Sequence, residues 1–225
     1  MAEDTGLIDV LGRWVLQRAC ADAASWPAPL SVAVNLSAAQ FRHGDLVAVV
    51  TAALDAAGLA PHRLELEITE SLLMSNTEQI LSTLHALSAM GIRIAMDDFG
   101  TGYSSLAYLW RFPFDKVKID RAFTQNLGDD PKVNLIVHSI ISLAHSLDIR
   151  VNAEGVETPS QMAALQDHGC DELQGFLLGH PSPLQALTHA HVAVPSNSAP
   201  RRSEARHSMW GTLPVVPLPS RPAPL

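Results

Sequence analysis

Short apolar segments with β-strand character alternate with amphipathic helical segments along most of this chain. A helical segment precedes the first strand candidate, and one follows every candidate except the last. Strands that alternate with helices in this way indicate parallel βαβ units. Six such units are six of the eight in a (β/α)8 barrel, so we expect an α/β fold of that architecture. The predicted strands are residues 31–35, 63–68, 92–96, 116–120, 150–154 and 173–177.

Residues that begin and end helices stand at the borders of the helical segments. Asp45 can cap a helix over 46–57, and Gly58 follows where a left-handed residue is favoured. Thr158 is followed by a proline and, three residues later, by Gln161, which is the pattern of a capping box. The other predicted helices begin at residue 7, span 77–90 and 131–147, and run from 159 to about 169.

Composition and charge exclude several classes of protein. The chain has 225 residues, 47% hydrophobic and 17% charged, which is typical of globular proteins and too apolar for a wholly disordered one. Its longest apolar region, 135–149, is interrupted by polar residues and shorter than the ~20 residues of a transmembrane helix, so we expect no membrane segment. The net charge of −8 disfavours DNA or RNA binding. Two cysteines and no signal-peptide pattern predict a cytoplasmic location.

The C-terminal part differs in composition from the rest of the chain. Residues 195–225 are rich in proline, serine and arginine. Proline at this density is incompatible with helices and inner strands. We therefore expect a folded domain over residues 1–194 and a disordered tail over residues 195–225.

Polar residues collect at the C-terminal ends of the predicted strands. In a parallel α/β barrel these ends converge on one mouth, where the active site lies. Any one of them alone would be an ordinary loop residue, but the coincidence over all six strands favours a shared site. The residues are Asn35, Glu67, Asp97 with Asp98, Lys118 with Asp120, Glu154 and Gln174.

The side chains at three of these strand ends are typical of a site for a hard cation. Asn35, Glu67 and Asp97 offer oxygen atoms, and neither cysteine nor histidine lies at a matching strand end. Oxygen donors favour Mg²⁺ or Mn²⁺ over zinc. Together with Lys118, such a cation could hold and polarise a phosphodiester. The sequence therefore predicts phosphoryl chemistry at the barrel mouth.

Two motif matches and two histidines are discounted. Asp98-Phe-Gly100 matches the magnesium-binding triplet of protein kinases, but no glycine-rich loop or catalytic-loop signature accompanies it. Gly100-Thr-Gly102 has only the first two glycines of a dinucleotide-binding fingerprint. His138 and His145 lie two turns apart on one predicted helix, where a helix-face role outweighs metal ligation.

The polar strand ends belong to longer motifs that resemble those of one known family. Over residues 3 to 185 the chain is similar, in order, to the EAL-type cyclic di-GMP phosphodiesterases. The motifs are Val34-Asn35-Leu36-Ser37, Glu67-Ile-Thr-Glu70-Ser71, Asp97-Asp-Phe-Gly-Thr-Gly-Tyr-Ser-Ser-Leu106, Lys116-Val-Lys-Ile-Asp120, Ala153-Glu-Gly-Val-Glu-Thr158 and Gln174-Gly-Phe176.

This resemblance implies a fold, a reaction and a set of metal ligands. The fold is a modified TIM barrel, and the reaction is hydrolysis of the bacterial second messenger cyclic di-GMP to linear pGpG with two Mg²⁺ or Mn²⁺ ions. The implied ligands of the first ion are Asn35, Glu67 and Asp97, whereas Asp98 binds the second ion and Asp120 lies beside both.

The resemblance also implies roles for four further residues. Lys118 would contact the attacking water or the phosphate, Glu154 would be the general base, and Gln174 would belong to the substrate site. Glu70 would order the loop after Asp98 and link the metal site to formation of a homodimer. The neighbouring Gly155 is expected to leave room for water or substrate beside the general base.

The family's first two strands have no counterpart in this sequence, and with them the Glu-Ala-Leu signature is missing. We therefore expect an N-terminally truncated domain with six of eight strands, open edges at the first and last strand, and no upstream sensor or cyclase domain. Two functions stay open: a phosphodiesterase, or a degenerate EAL module that binds cyclic di-GMP or a protein partner without turnover. A generic magnesium-dependent barrel enzyme is a third, and it leaves the Asp97–Leu106 motif unexplained.

Overall fold

The computed structural model describes residues 6–42, 45–73, 77–100 and 106–183. Within them, strands and helices alternate as the sequence predicts. The strands are β1 (Val32–Leu36), β2 (Leu64–Thr69), β3 (Arg93–Phe99), β4 (Lys116–Ile119), β5 (Arg150–Ala153) and β6 (Glu172–Leu173). The helices are α1 (Leu7–Ala24), α2 (Ala38–Arg42), α3 (Leu46–Ala57), α4 (Glu70–Leu73), α5 (Thr77–Ala89), α6 (Leu106–Arg111), α7 (Arg121–Thr124), α8 (Pro131–Ser146) and α9 (Pro159–Asp167), with a 3-10 turn at Pro61–Arg63.

The six strands form one curled sheet in the order β1-β2-β3-β4-β5-β6, and each neighbouring pair is parallel. Sequential parallel strands connected by helices make a half-barrel, so the predicted α/β barrel architecture with six strands is confirmed. β1 and β6 are the two edges of this sheet among the described residues. All C-terminal strand ends lie on the same side of the sheet, which brings the predicted site residues to one mouth.

The apolar core lies between the helices and the outer face of the sheet. Leu64, Leu66 and Ile68 of β2 are fully buried there. Glu65 and Glu67, on the opposite face of the same strand, are also buried, at 4% and 7% exposure. Charged groups with so little exposure require partners, and those partners lie on the inner face of the half-barrel.

The predicted helix borders are confirmed at two helices. The Asp45 carboxylate accepts a hydrogen bond from the Ala48 N–H at 3.0 Å, and Gly58 ends α3 with φ +64°. Thr158 and Gln161 form the capping box of α9, in which each side chain accepts a hydrogen bond from the other residue's backbone N–H. Local chemistry therefore determines where these helices begin and end.

The last strand, β6, has two residues and is shorter than the strand predicted at 173–177. β6 ends at Leu173, because Gly175 packs directly against the Val156 backbone and the chain then turns. The Leu177 N–H donates to the Val156 carbonyl at 3.0 Å, and the Leu178 N–H donates to the Gly175 carbonyl at 3.0 Å. The apolar residues after β6 therefore belong to a turn, and Gln174 is the first residue beyond the strand.

Several sequence expectations fall outside the described residues. They include the structure of the proposed tail 195–225, the domain boundary at residue 194, and the segment 101–105 of the Asp97–Leu106 motif. The chain separates into a compact unit over Met1–Pro181 and a second unit over Ser182–Leu225, most of which is not described. In the described part of the chain, no helix is long and apolar enough to cross a membrane.

Candidate active site

The end of β3 departs from regular strand geometry at two consecutive aspartates. The pairing of β3 with β4 shifts register between Met96 and Phe99, and Asp98 lies in the left-handed region with φ +56°. The Asp98 N–H donates to Oδ1 of Asp97 at 3.1 Å. Consecutive side chains of a regular strand point to opposite faces, so this irregularity keeps Asp97 and Asp98 together at the mouth. The sequence predicted both residues after the strand, whereas the structure places them inside it.

Lys118, in the centre of the sheet on β4, contacts carboxylates from three other parts of the sheet. Its Nζ lies 3.0 Å from Oε1 of Glu67, 3.0 Å from Oδ1 of Asp97 and 2.8 Å from Oε1 of Glu154. The side-chain exposure is 5% for the lysine and 9%, 13% and 20% for the three acids in that order. The Glu154 N–H donates to the Ile119 carbonyl at 3.0 Å, which fixes this residue beside the end of β4.

Burial and charge shift the pKa values of this cluster. Burial alone would lower the pKa of Lys118, but hydrogen bonds and charges from Glu154, Glu67 and Asp97 outweigh it, so the pKa lies above the ordinary value. Burial raises the pKa of Glu67, although Lys118 opposes the shift. Burial, followed by the charges of Asp97 and Asp120, raises the pKa of Asp98. The lysine is therefore charged at neutral pH, and the site favours any added positive charge near Asp98.

Three acids of the mouth have the arrangement of a cation site. Asp97, Asp98 and Glu154 each offer a carboxylate oxygen, and these three oxygens lie within 4.8 Å of one another. All three side chains are partly buried. A set of carboxylate oxygens fits Mg²⁺ or Mn²⁺, which prefer such ligands. The residues therefore fit a hard cation, but this cluster shares only Asp97 with the three strand-end donors predicted from the sequence, Asn35, Glu67 and Asp97.

Four other predicted residues lie at or just beyond the C-terminal ends of strands. Asn35 on β1 is in register with Glu67, and its side chain is exposed. Asp120 follows β4 and caps α7, where its carboxylate accepts from the Ala122 N–H at 2.9 Å. The remaining two are Gln174, whose N–H donates to the Ala153 carbonyl at 2.8 Å, and Glu70, which is buried at the start of α4.

A second charged cluster, not anticipated from the sequence, lies one layer deeper in the half-barrel. Lys116 Nζ is 2.8 Å and 2.7 Å from the two carboxylate oxygens of Glu65 and 2.7 Å from Oε2 of Glu172. Arg150 also pairs with Glu172. The signal was available, because Glu65 and Glu67 have the same two-residue spacing as Lys116 and Lys118. We refer to Glu67–Lys118 and Glu65–Lys116 as the upper and lower ion pairs.

Gly155, directly after Glu154, packs closely against α7. Gly155 has φ +67°, and a Cβ atom at this position would lie 2.5 Å from Cβ of Arg121. The glycine is therefore required by a left-handed backbone and by the close approach of α7. This packing accounts for the glycine, and the expectation that it leaves room for substrate or water beside Glu154 stays a prediction.

Comparisons with known proteins agree with the predicted family. The EAL domain family matches residues 1–181. MucR of Pseudomonas aeruginosa, a bifunctional diguanylate cyclase/cyclic di-GMP phosphodiesterase, is 48% identical over 191 residues, which are 83% of this chain and 28% of MucR. NbdA of the same species, a cyclic di-GMP phosphodiesterase, is 44% identical over 204 residues, which are 89% of this chain and 26% of NbdA.

Solved structures give the same result. The PaMucR phosphodiesterase in complex with cyclic di-GMP has a TM-score of 0.79 at 48% identity, over 83% of this chain and 77% of that one. A manganese/cyclic di-GMP complex of BlrP1 from Klebsiella pneumoniae has a TM-score of 0.72 at 34% identity, over 77% of this chain and 45% of that one. The chain spans about a quarter of the length of the curated relatives it matches. Family match, sequence identity and half-barrel geometry agree, and the chain belongs to the EAL domain family.

Proposed function

We propose that this chain is the catalytic domain of a cyclic di-GMP phosphodiesterase that hydrolyses its substrate to linear pGpG. The observation that carries the proposal is the carboxylate cluster around Lys118 at the C-terminal ends of parallel strands. Active sites of barrel enzymes lie at this end. Relatives with the same domain are named cyclic di-GMP phosphodiesterases, which supports the choice of substrate.

The proposal includes two divalent cations, Mg²⁺ or Mn²⁺. Asn35, Glu67 and Asp97 would hold the first and Asp98 the second, with Asp120 beside both. A manganese complex and a calcium complex of a relative with cyclic di-GMP support a cation in this fold. When bound, such cations polarise the phosphodiester and lower the pKa of a water molecule. This provides the positive charge that an acidic site needs to accept an anionic substrate.

The chain's own residues provide the proton transfer and the orientation. Glu154 accepts the proton of the attacking water as its oxygen bonds to phosphorus, and the 3′-oxygen of the ribose leaves and takes up a proton. The Lys118 ammonium, buried and charged, stabilises negative charge on the phosphate. Gln174, held at the end of β6 by its backbone hydrogen bonds, contacts the substrate.

The decisive experiment separates binding from turnover at Glu154. Glu154→Gln keeps the shape of the side chain and removes the proton acceptor, so turnover in Mg²⁺ should fall by ~10²–10⁴-fold while affinity for cyclic di-GMP in Ca²⁺ changes little. Glu157→Gln is the matched control, because Glu157 is an exposed glutamate of the same loop.

Near-normal turnover of Glu154→Gln would contradict the assignment of the general base. Binding without turnover by the unmodified chain would identify a binding module instead of an enzyme. Release of pGpG, measured by separating the nucleotides, distinguishes these results.

We also propose that the domain works in the cytoplasm and forms a homodimer. Both cysteines are free thiols, with Cys20 buried, which suits a reducing compartment. Glu70 lies at the start of α4, directly after the strand that carries Glu67, and this position suits a link between the metal site and a dimer contact.

A further inference from the structure

Lys118 contacts the same carboxylates that the proposed function assigns to cation binding and proton transfer. Its ammonium is within 3.0 Å of oxygens on Glu67, Asp97 and Glu154. Its backbone lies in a central strand and pairs in register with Asn152, so the stem of the side chain has a fixed origin. A cation that binds these acids must therefore share them with an ammonium group that is already within hydrogen-bonding distance.

We propose that Lys118 is an internal counter-ion of this site, which holds the three acids together and weakens their affinity for a divalent cation. The inference rests on the proposed function for the place of the cation. It adds a role that differs from contact with water or phosphate. The lysine makes a pre-formed acidic site compatible with folding, and it sets the cation concentration at which the site is filled.

The charges of the cluster explain both effects. Three carboxylates with 9–20% exposed side chains repel one another, and one buried ammonium is their common partner. Removing one member of a buried ion pair leaves an uncompensated charge and destabilises the fold. The same positive charge repels a divalent cation at a separation of a few ångströms, where screening by water is incomplete.

The lower ion pair provides a matched control within the same chain. Lys116 is two residues before Lys118 on β4, is similarly buried, and contacts two carboxylates where Lys118 contacts three. Those carboxylates belong to Glu65 and Glu172, which are not among the proposed ligands. Substitution of either lysine removes one buried positive charge. Substitution of Lys118 removes it from the proposed cation site, whereas substitution of Lys116 does not.

The test measures Mn²⁺ affinity of the purified chain by electron paramagnetic resonance and calorimetry, without substrate. Lys118→Met should bind Mn²⁺ on the order of tenfold more tightly than the unmodified chain. Lys118→Arg, which keeps the charge, and Lys116→Met should each change the affinity by less than about threefold. The melting temperature of Lys118→Met should be lower in chelator and should rise more steeply with Mn²⁺ than that of the unmodified chain.

Equal or weaker Mn²⁺ binding by Lys118→Met would overturn the inference, as would equal tightening in Lys116→Met. If Lys118→Met folds only with Mn²⁺, the dependence of its melting temperature on Mn²⁺ concentration provides the affinity, because a ligand that binds the folded state stabilises it by mass action. A different result would contradict the proposed function. If the folded chain binds cyclic di-GMP but releases no pGpG, it is not a phosphodiesterase, whatever the order of the Mn²⁺ affinities.

Discussion

Asp98 combines an uncommon backbone conformation with an unfavourable charge. Its φ of +56° lies in the left-handed region, which asparagine and aspartate enter more readily than most residues. Burial and the charges of Asp97 and Asp120 raise its pKa, so the ionised form is disfavoured in the folded protein. An ionised Asp98 therefore lowers the stability of the folded protein, which suits the cation-binding role proposed for it.

We expect Asp98→Asn to be more stable than the unmodified chain in chelator at neutral pH. Removing the repelled charge should raise the free energy of unfolding by roughly 0.2–1 kcal/mol, and asparagine tolerates the left-handed backbone. The gain should vanish as the pH falls through the raised pKa, since Asp98 itself then becomes neutral. Urea denaturation at several pH values measures this dependence.

Asp98→Ala serves as the comparison for Asp98→Asn. It also removes the charge, but alanine in the left-handed region costs about 1–2 kcal/mol. Asp98→Ala should therefore be less stable than Asp98→Asn at every pH. If the two variants are equally stable, the backbone at this position is not strained as the structure indicates.

At the scale of elements, the turn after β6 determines the position of Gln174. A Cβ atom at Gly175 would lie 2.2 Å from the Val156 carbonyl oxygen and 2.3 Å from its nitrogen. These are backbone atoms of the loop that follows β5, so they cannot move aside as a flexible side chain would. Gly175 therefore allows the end of β6 to dock against the loop that carries Glu154.

Gly175→Ala should reduce the free energy of unfolding by about 1–3 kcal/mol, the usual effect of overpacking. It should also weaken cyclic di-GMP binding more than Mn²⁺ binding, because Gln174 is displaced while the carboxylates on β2 and β3 are not. Gly179→Ala is the control, since a Cβ there meets nothing within 4 Å and its effect should stay within about 0.5 kcal/mol. Equal denaturation midpoints for the two variants would contradict this account.

Elements whose signals are local were predictable, and those that depend on distant contacts were not. Asp45 and Thr158 cap helices through atoms a few residues away, so sequence spacing was sufficient. The apolar residues around Gly175 have strand character, but the Val156 backbone ends the strand. Likewise, nothing in the local sequence indicates that β3 continues with altered register through Asp98.

At the scale of the whole molecule, the barrel mouth could be predicted because parallel strands have their C-terminal ends on one side. The contacts between charged groups could not be predicted, because they depend on how far the sheet curls. Lys118 contacts Glu67 on β2, a strand that is not a neighbour of β4 in the sheet. It also contacts Glu154, which follows β5 and lies two residues beyond Asn152, the residue paired with Lys118. For the lower ion pair, the matched spacing of the two glutamates and the two lysines indicates that they could pair, but the curl of the sheet determines that β2 and β4 come within reach of each other.

In the described part of the chain β1 and β6 are the edges of the sheet, and this leads to a prediction about the rate of hydrolysis. A polypeptide lengthened at its N-terminus, so that two more parallel strands join β1 and β6, should hydrolyse cyclic di-GMP faster than this chain. A closed barrel would hold its ligands more rigidly, and one added strand would supply the Glu-Ala-Leu glutamate, which the resemblance to the family implies is a further ligand.

Release of pGpG per folded molecule compares the two proteins. An extension of equal length made of glycine and serine controls for chain length and should leave the rate unchanged. Comparable rates for the lengthened and the original protein would contradict this view.

The two stacked ion pairs also constrain the folding of the sheet. A one-residue slip of a strand turns its side chains to the opposite face, whereas a two-residue slip keeps them on the same face. Here a two-residue slip of β4 against β2 would still pair one glutamate with one lysine, Glu65 with Lys118, but it would set Glu67 against Asp120. Charge matching at a single position therefore cannot distinguish the native alignment from this near miss. A two-residue slip in the other direction would pair Glu67 with Lys116 and leave Glu65 beside Phe114, without a lysine. Only the native alignment gives each of the two buried glutamates its own lysine, so the two ion pairs together specify the register.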